Sequence, residues 1–354
     1  MRRRFGVFAS GFDTRQVYHR RTAAKRAVWR YRAGRLNSCC PMNLRTFLFD
    51  TSGRLRSGWR VAVFLACFTF AVAVAGALIA VTFAAAGYTS MVGSPFLLTV
   101  SGSVSLVIAL TVGCLCGKYL EGLPFRALGA WFTYGWLRNL MIGSALGLLT
   151  LAAAAGIAAA FGGVWFHQNK TDGAASIAAS MAVSLGVFAV MAAFEEAFFR
   201  GYILQTFARS GLASFAILFT AAFFAGVHLR NPNPGSISTL NTALAGIWFG
   251  VAYLKTRDLW FVTGLHLMWN WAQGSLFGIE VSGLKEIAAA PLLREVEYGP
   301  AWLTGGDYGL EGGLACTAAL ALSILAIHFL PFVSADRELL AMTSPRSQES
   351  ISDV

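Results

Sequence analysis

The stretch AVMAAFEEAFFRGY, residues 189–202, sets two adjacent glutamates and an arginine at the end of an apolar run. In hydrocarbon each charge costs a few kcal/mol or more, so Glu195, Glu196 and Arg200 need a reason to be there. The run before them belongs to a candidate span at 177–200. Similar spans recur on both sides, at 59–86, 95–116 and 137–161 before it, and at 213–228, 240–254, 259–277 and 313–333 after it. The chain is 56% hydrophobic and 13% charged, which places it among membrane proteins rather than soluble domains. The runs are continuous rather than alternating, which disfavours spanning strands. The expected fold is all-α, a polytopic membrane protein of about eight transmembrane helices, with a core helix bundle carrying the polar site.

The net charge of +11 is unevenly spread. Residues 1–41 hold eleven Lys and Arg against one acid, Asp13, and the rest of the chain is left with +1. Three readings of this basic extension stand. It is a disordered arm that touches anionic lipid, an Arg-rich, acid-poor transit segment, or the product of a mis-called start with Met42 as the true first residue. The third is preferred, because MNLRTFLFDTSGRLRSGWR, 42–60, already reads as a complete cytoplasmic lead-in to the first helix. A cleaved secretory signal does not suit a first apolar run of this length. The expected organisation is therefore an extension at 1–41, one integral membrane domain at 42–333 and a polar, mobile tail at 334–354. Basic residues alternate from loop to loop, apart from Arg230, which puts both termini on the cytoplasmic side. Outside the extension there is no basic excess, and no nucleic-acid partner is expected. Cys39, Cys40, Cys67, Cys114, Cys116 and Cys316 form no CxxC pair and read as small apolar filler.

Three polar clusters interrupt the later spans: Glu195, Glu196 and Arg200; FFAGVH, ending in His228; and HLMWN, His266 to Asn270. Phe224 and His228 are four apart and share a helix face, as do His266 and Asn270. With Gly211 as the turn of a hairpin, Glu195 and His228 each lie roughly 25 Å from it at the helical rise. His266 lies about 14 Å along its own helix beyond Arg257. The three groups are thus expected at one depth. Glu196 and Arg200, acid first at i, i+4, suit an ion pair that makes both charges tolerable. Glu195 is then the unpaired carboxylate, suited to act as a base. His228 can share a water with it. His266 and Asn270 offer N–H groups to a developing oxyanion. Phe224, Phe198, Phe199 and Trp269 are expected to line the cavity and limit bulk water.

Each residue also has a plainer reading. A single membrane histidine is commonly a helix–helix hydrogen-bond partner, and that is how His328 is read. His19 and His167 lie in the extension and a loop. The pair Glu196–Arg200 reads first as structural. A proton-relay transporter is a further alternative, but the chain shows no inverted repeat.

In these residues the chain resembles the CPBP family of intramembrane proteases, the Abi family, which includes the Ras-converting CAAX prenyl endopeptidase and many bacterial relatives. The family's EExxxR, FxxxH and HxxxN motifs read here as EEAFFR, FAGVH and HLMWN, in order and on separate expected helices. The run LNTALAGIWFGVAYLKTRDLWFVTGLHLMWNW, the lead-in GRLRSGWR and the loop GPAWLTGGDYGLEGG also look like family segments. The resemblance implies proteolysis within a bacterial cell membrane, on a membrane-associated protein or peptide with or without a lipid anchor. It carries Glu195 over as the catalytic glutamate, His228 as its partner in activating water, and His266 with Asn270 at the oxyanion. The family has been described as zinc-dependent and as glutamic. Glu195, His228 and His266 are the three residues that a zinc ion would use, but there is no HExxH and Asn is a poor zinc ligand, so metal-free catalysis is the expectation. Some relatives are linked to immunity or scaffolding, which makes a non-catalytic membrane immunity or assembly factor the alternative.

Overall fold

Asp258 starts the helix that bears His266 and Asn270. Its Oδ1 accepts the Trp260 N–H at 2.8 Å, the side-chain cap that a helix start needs, and its Oδ2 accepts from Asn139 Nδ2 at 2.5 Å. Ser94 does the same for an earlier span, accepting the Leu97 N–H at 3.2 Å ahead of Pro95 in the first turn. In the computed structural model, residues 44–87, 94–284, 287–331 and 333–344 are described. The basic extension, Met42, Cys39, Cys40 and His19 lie outside them. The chain divides after Gly53; the described part of the first unit holds a short helix at Leu44–Leu48.

In the second unit the long helices are α1 (Ser57–Ala85), α2 (Pro95–Glu121), α3 (Trp136–Ala160), α4 (Ala174–Glu196), α5 (Ala213–His228), α6 (Ser236–Thr256), α7 (Leu259–Trp271) and α8 (Leu314–Phe329), followed by a short α9 (Arg337–Thr343). Each corresponds to one expected span, apart from α9. Helix α4 runs on through a π-helical stretch, Ala197–Leu204, to Arg209, and α7 continues as π-helix through Ala272–Leu276. Among the described residues five helices are long and apolar enough to cross a membrane: α1, α2, α3, α4 with its continuation, and α6. The chain is an integral membrane protein. Helices α5 and α8, at 16 residues each, are shorter apolar elements.

Two features differ from the sequence reading. Val164–Gln168 (β1) and Leu293–Glu297 (β2) pair antiparallel, Val164 opposite Glu297, in segments that read as loops. Their pairing is non-local, so no short-range pattern announces it. The polar tail is helical over α9, where Asp336 caps the Glu338 N–H at 2.8 Å and Leu339 is buried. His328 is exposed at the end of α8, and its carbonyl, not its ring, accepts a bond from Lys255.

Helix α7 is held deep by α3. A Cβ at Gly147 would lie 2.2 Å from the Leu265 carbonyl oxygen, and one at Gly264 would lie 2.3 Å from that of Leu140. The two backbones therefore touch where the chain carries hydrogen in place of a side chain, next to His266. At one end of the bundle a buried carboxylate, Glu121 on α2, ties three helices together. It accepts from Arg60 on α1 at 2.9 Å, and from Arg209 at 2.5 Å and Thr206 at 3.0 Å beyond the π-helix.

Gly147→Val is expected to cost about 1–3 kcal/mol or more by overpacking the α3–α7 contact. Gly156→Val on the same helix, where a Cβ meets nothing within 4 Å, is expected to be near neutral; thermal unfolding in detergent compares them. Burial pushes the Asp258 carboxyl up to about 6, against the hydrogen bonds from Asn139 and the backbone that favour its charge. Between its unfolded value of 3.8 and about 6, the native chain holds a proton that the unfolded chain has released. That stabilisation is complete below the lower value and lost as pH rises through the upper one. Asp258→Asn is expected to remove about 2–3 kcal/mol from the fall in stability between pH 4 and 7, read by denaturation at each pH.

Candidate active site

Arg200 is wholly buried, and so is Glu196. Arg200 Nη1 donates to Glu196 Oε1 at 3.0 Å and Nη2 donates to the Gly246 carbonyl on α6 at 3.2 Å. Its guanidinium carbon lies 5.0 Å from the ring centres of both Phe224 and Phe249, and 5.5 Å from that of Phe199. A carboxylate, a carbonyl and three aromatic faces thus stand in for water around the cation. The pair is structural, as its spacing suggested, but it does more. Glu196 Oε1 also receives His266 Nδ1 at 2.9 Å. A carboxylate only accepts, so Nδ1 carries a proton and Nε2 is left facing the other way.

His266 Nε2 faces Glu195, whose Oε2 is 3.9 Å distant. That is too long for a direct hydrogen bond and the right span for an intervening small group. The Glu195 Oε2 atom is buried and takes no partner. His228 Nδ1 donates to the Phe224 carbonyl at 2.7 Å, so its Nε2 is the free acceptor of the neutral ring. Phe224 also stacks beside His228, its centroid 4.3 Å away, and Phe249 stacks on His266 at 4.5 Å. The two imidazoles are fixed in tautomer and in plane by groups behind them.

Glu195, His228, His266 and Asn270 all line one cavity of about 180 Å³. The three clusters, from α4, α5 and α7, therefore meet as the depth estimate required. Phe224 and Trp269 also line it. Phe198 and Phe199 do not: they face away, into an aromatic cluster where Phe198 meets Phe64, Phe68 and Phe223 and Phe199 meets Phe223. Here the chain is π-helical, so facing positions cannot be counted at 3.6 residues per turn. Among the described residues no group of three or more His, Cys, Asp or Glu is placed so as to hold a metal ion. The four described cysteines are free.

Residues 175–272 match a family model described as Rce1-like, type II CAAX prenyl endopeptidase. The match supports the likeness to the CAAX protease family over that segment. The segment holds all three motifs and every helix that supplies Glu195, His228, His266 and Asn270. No curated protein matches the chain.

Part of the cavity comes from outside the matched segment. Ser282 and Glu311, from the connection between α7 and α8, line it, together with Asn241 on α6. Asn241 Nδ2 donates to the carbonyls of Glu311 at 2.8 Å and Gly313 at 2.9 Å, and its Oδ1 accepts from Thr317 Oγ1 at 2.6 Å. The sequence signal for these residues was weak. The loop GPAWLTGGDYGLEGG, which contains Glu311, read only as a family-like segment, and nothing marked Asn241 as its anchor.

Arg200→Met leaves Glu196 buried without its cation and is expected to cost about 3–5 kcal/mol. Glu196→Gln combined with Arg200→Met is expected to recover most of that loss, because no uncompensated charge remains. Thermal unfolding of the single and double variants reads the coupling.

Proposed function

We propose that the chain is an intramembrane endopeptidase in which Glu195 and His228 activate a water molecule, with His266 and Asn270 at the oxyanion. The convergence of an unpartnered carboxylate, two tautomer-fixed imidazoles and an amide on one cavity supports this reading. In the reaction, Glu195 takes a proton from the water as its oxygen adds to the peptide carbonyl carbon. His228 Nε2 accepts the second water hydrogen bond and holds the nucleophile in line. The carbonyl oxygen becomes an oxyanion and meets the Asn270 amide N–H. For His266 to donate there as well, its Nε2 must be protonated. The ring is then doubly protonated, with Glu196 holding the Nδ1–H and Arg200 keeping Glu196 charged and in place. Collapse of the tetrahedral adduct breaks the C–N bond, and the proton on Glu195 passes to the departing amine. No step passes through a metal.

The substrate on this reading is a membrane-associated protein or peptide, with or without a lipid anchor. The setting is a bacterial inner membrane, with both termini cytoplasmic, on the basis of loop charge.

Glu195→Gln and His228→Ala are expected to reduce cleavage of reconstituted membrane substrates at least ~100-fold while the protein still accumulates. Asn270→Ala is expected to lower kcat by about 10²–10³. Substrate trapping with Glu195→Gln, followed by mass spectrometry of membrane proteins that accumulate, supplies the substrate. Full cleavage by Glu195→Gln would falsify the role given to that carboxylate.

A further inference from the structure

Glu311 belongs to none of the three motifs, yet it lines the same cavity as Glu195. It sits in the single turn Leu310–Gly312, just ahead of α8. Its carboxylate is held by neutral donors. Trp269 Nε1 donates to Oε1 at 3.0 Å; the Ser282 N–H and Oγ donate to Oε2 at 2.7 and 2.6 Å. Its own carbonyl is pinned by Asn241. The group is thus fixed in position, and Oε1 keeps a lone pair that these bonds do not use.

None of those donors cancels the charge. Among the described residues lining the cavity there is no Lys or Arg; the carboxylates are Glu195 and Glu311, and the other polar groups are His, Asn, Ser and Thr. Glu196, by contrast, has Arg200. Trp269 and Ser282 occupy acceptors on both oxygens, which an amide with its single oxygen could not supply, so the group is held as a carboxylate by donors that bring no positive charge. A narrow cavity with two carboxylates and low-dielectric walls favours a cation and rejects an anion.

We propose that Glu311 is a specificity-determining residue that receives a positively charged group of the substrate peptide, close to the scissile bond. The proximity follows from Trp269, which bonds Glu311 and directly precedes Asn270. This inference rests on the peptidase reading of the same cavity. A lysine or arginine side chain and a free amino terminus offer the same chemistry.

The test uses the full chain in nanodiscs and peptides in which each position in turn is lysine, norleucine or glutamate, with the amino terminus free or acetylated. Binding is read by fluorescence anisotropy on Glu195→Gln, and cleavage on the chain with Glu195 intact. At one position lysine is expected to be preferred over norleucine by about tenfold or more, with glutamate rejected. Acetylation that removes the preference identifies the amino terminus as the cation. Glu311→Gln is expected to bring the lysine-to-norleucine ratio to within about twofold of unity. A flat ratio at every position in the wild-type chain, or a full preference retained in Glu311→Gln, overturns the proposal. If Glu311→Gln does not accumulate, Glu311→Asp keeps the charge but withdraws it by one methylene; it is expected to lower the ratio, and an unchanged ratio overturns the proposal. Lysine-selective binding with no cleavage of any peptide would instead remove the peptidase reading and leave the cation site standing.

Discussion

Burying Arg200 is the constraint on which the rest of the site depends. A guanidinium with no solvent exposure must be neutralised, hydrogen-bonded and surrounded by polarisable surface at once. Glu196 supplies the charge, Gly246 a carbonyl, and Phe199, Phe224 and Phe249 the aromatic faces. Those partners come from α4, α5 and α6, so the cation sets the spacing of three helices. The Glu196 oxygen that binds Arg200 also binds His266, which brings in α7. An element that first reads as structural thus fixes the tautomer of an imidazole that faces the unpartnered Glu195.

The arrangement separates two adjacent glutamates into different chemical roles. Glu196 points into a shell of donors and has its cation. Glu195 points into the cavity with a buried oxygen free. Neighbours in sequence on a helix point about 100° apart, so adjacency itself produces the division. The aromatic residues are divided in the same way. Phe224 serves both sides, stacking on His228 toward the cavity and on Arg200 behind it. Phe198 serves packing alone, against Phe64 and Phe68 on α1 and Phe223 on α5.

Close backbone contact gives this site its rigidity. Helices α3 and α7 meet through glycine, and α7 begins on the capped, hydrogen-bonded Asp258. His266 is therefore held from its start, from its back and at its ring nitrogen. The connection between α7 and α8 then closes over the cavity through Ser282, Glu311 and Asn241. These contacts join residues far apart in the chain, by 70 positions for Asn241 and Glu311.

What the amino-acid order determined alone was the class of fold, the eight long helices among the described residues and the polar residues that converge on one cavity. Apolar length and the cost of a charge in hydrocarbon are local properties, readable residue by residue. The shared depth of Glu195, His228 and His266 was legible for the same reason, since helical rise is constant. Tertiary structure decided the rest. Whether Phe198 and Phe199 face the cavity depends on a π-helical stretch whose altered twist no 3.6-residue count contains. That His266 bonds Glu196, that β1 pairs with β2, and that Glu311 enters the cavity are all non-local contacts. They depend on where separate helices and loops come to rest against one another, and no periodicity along a single segment encodes that.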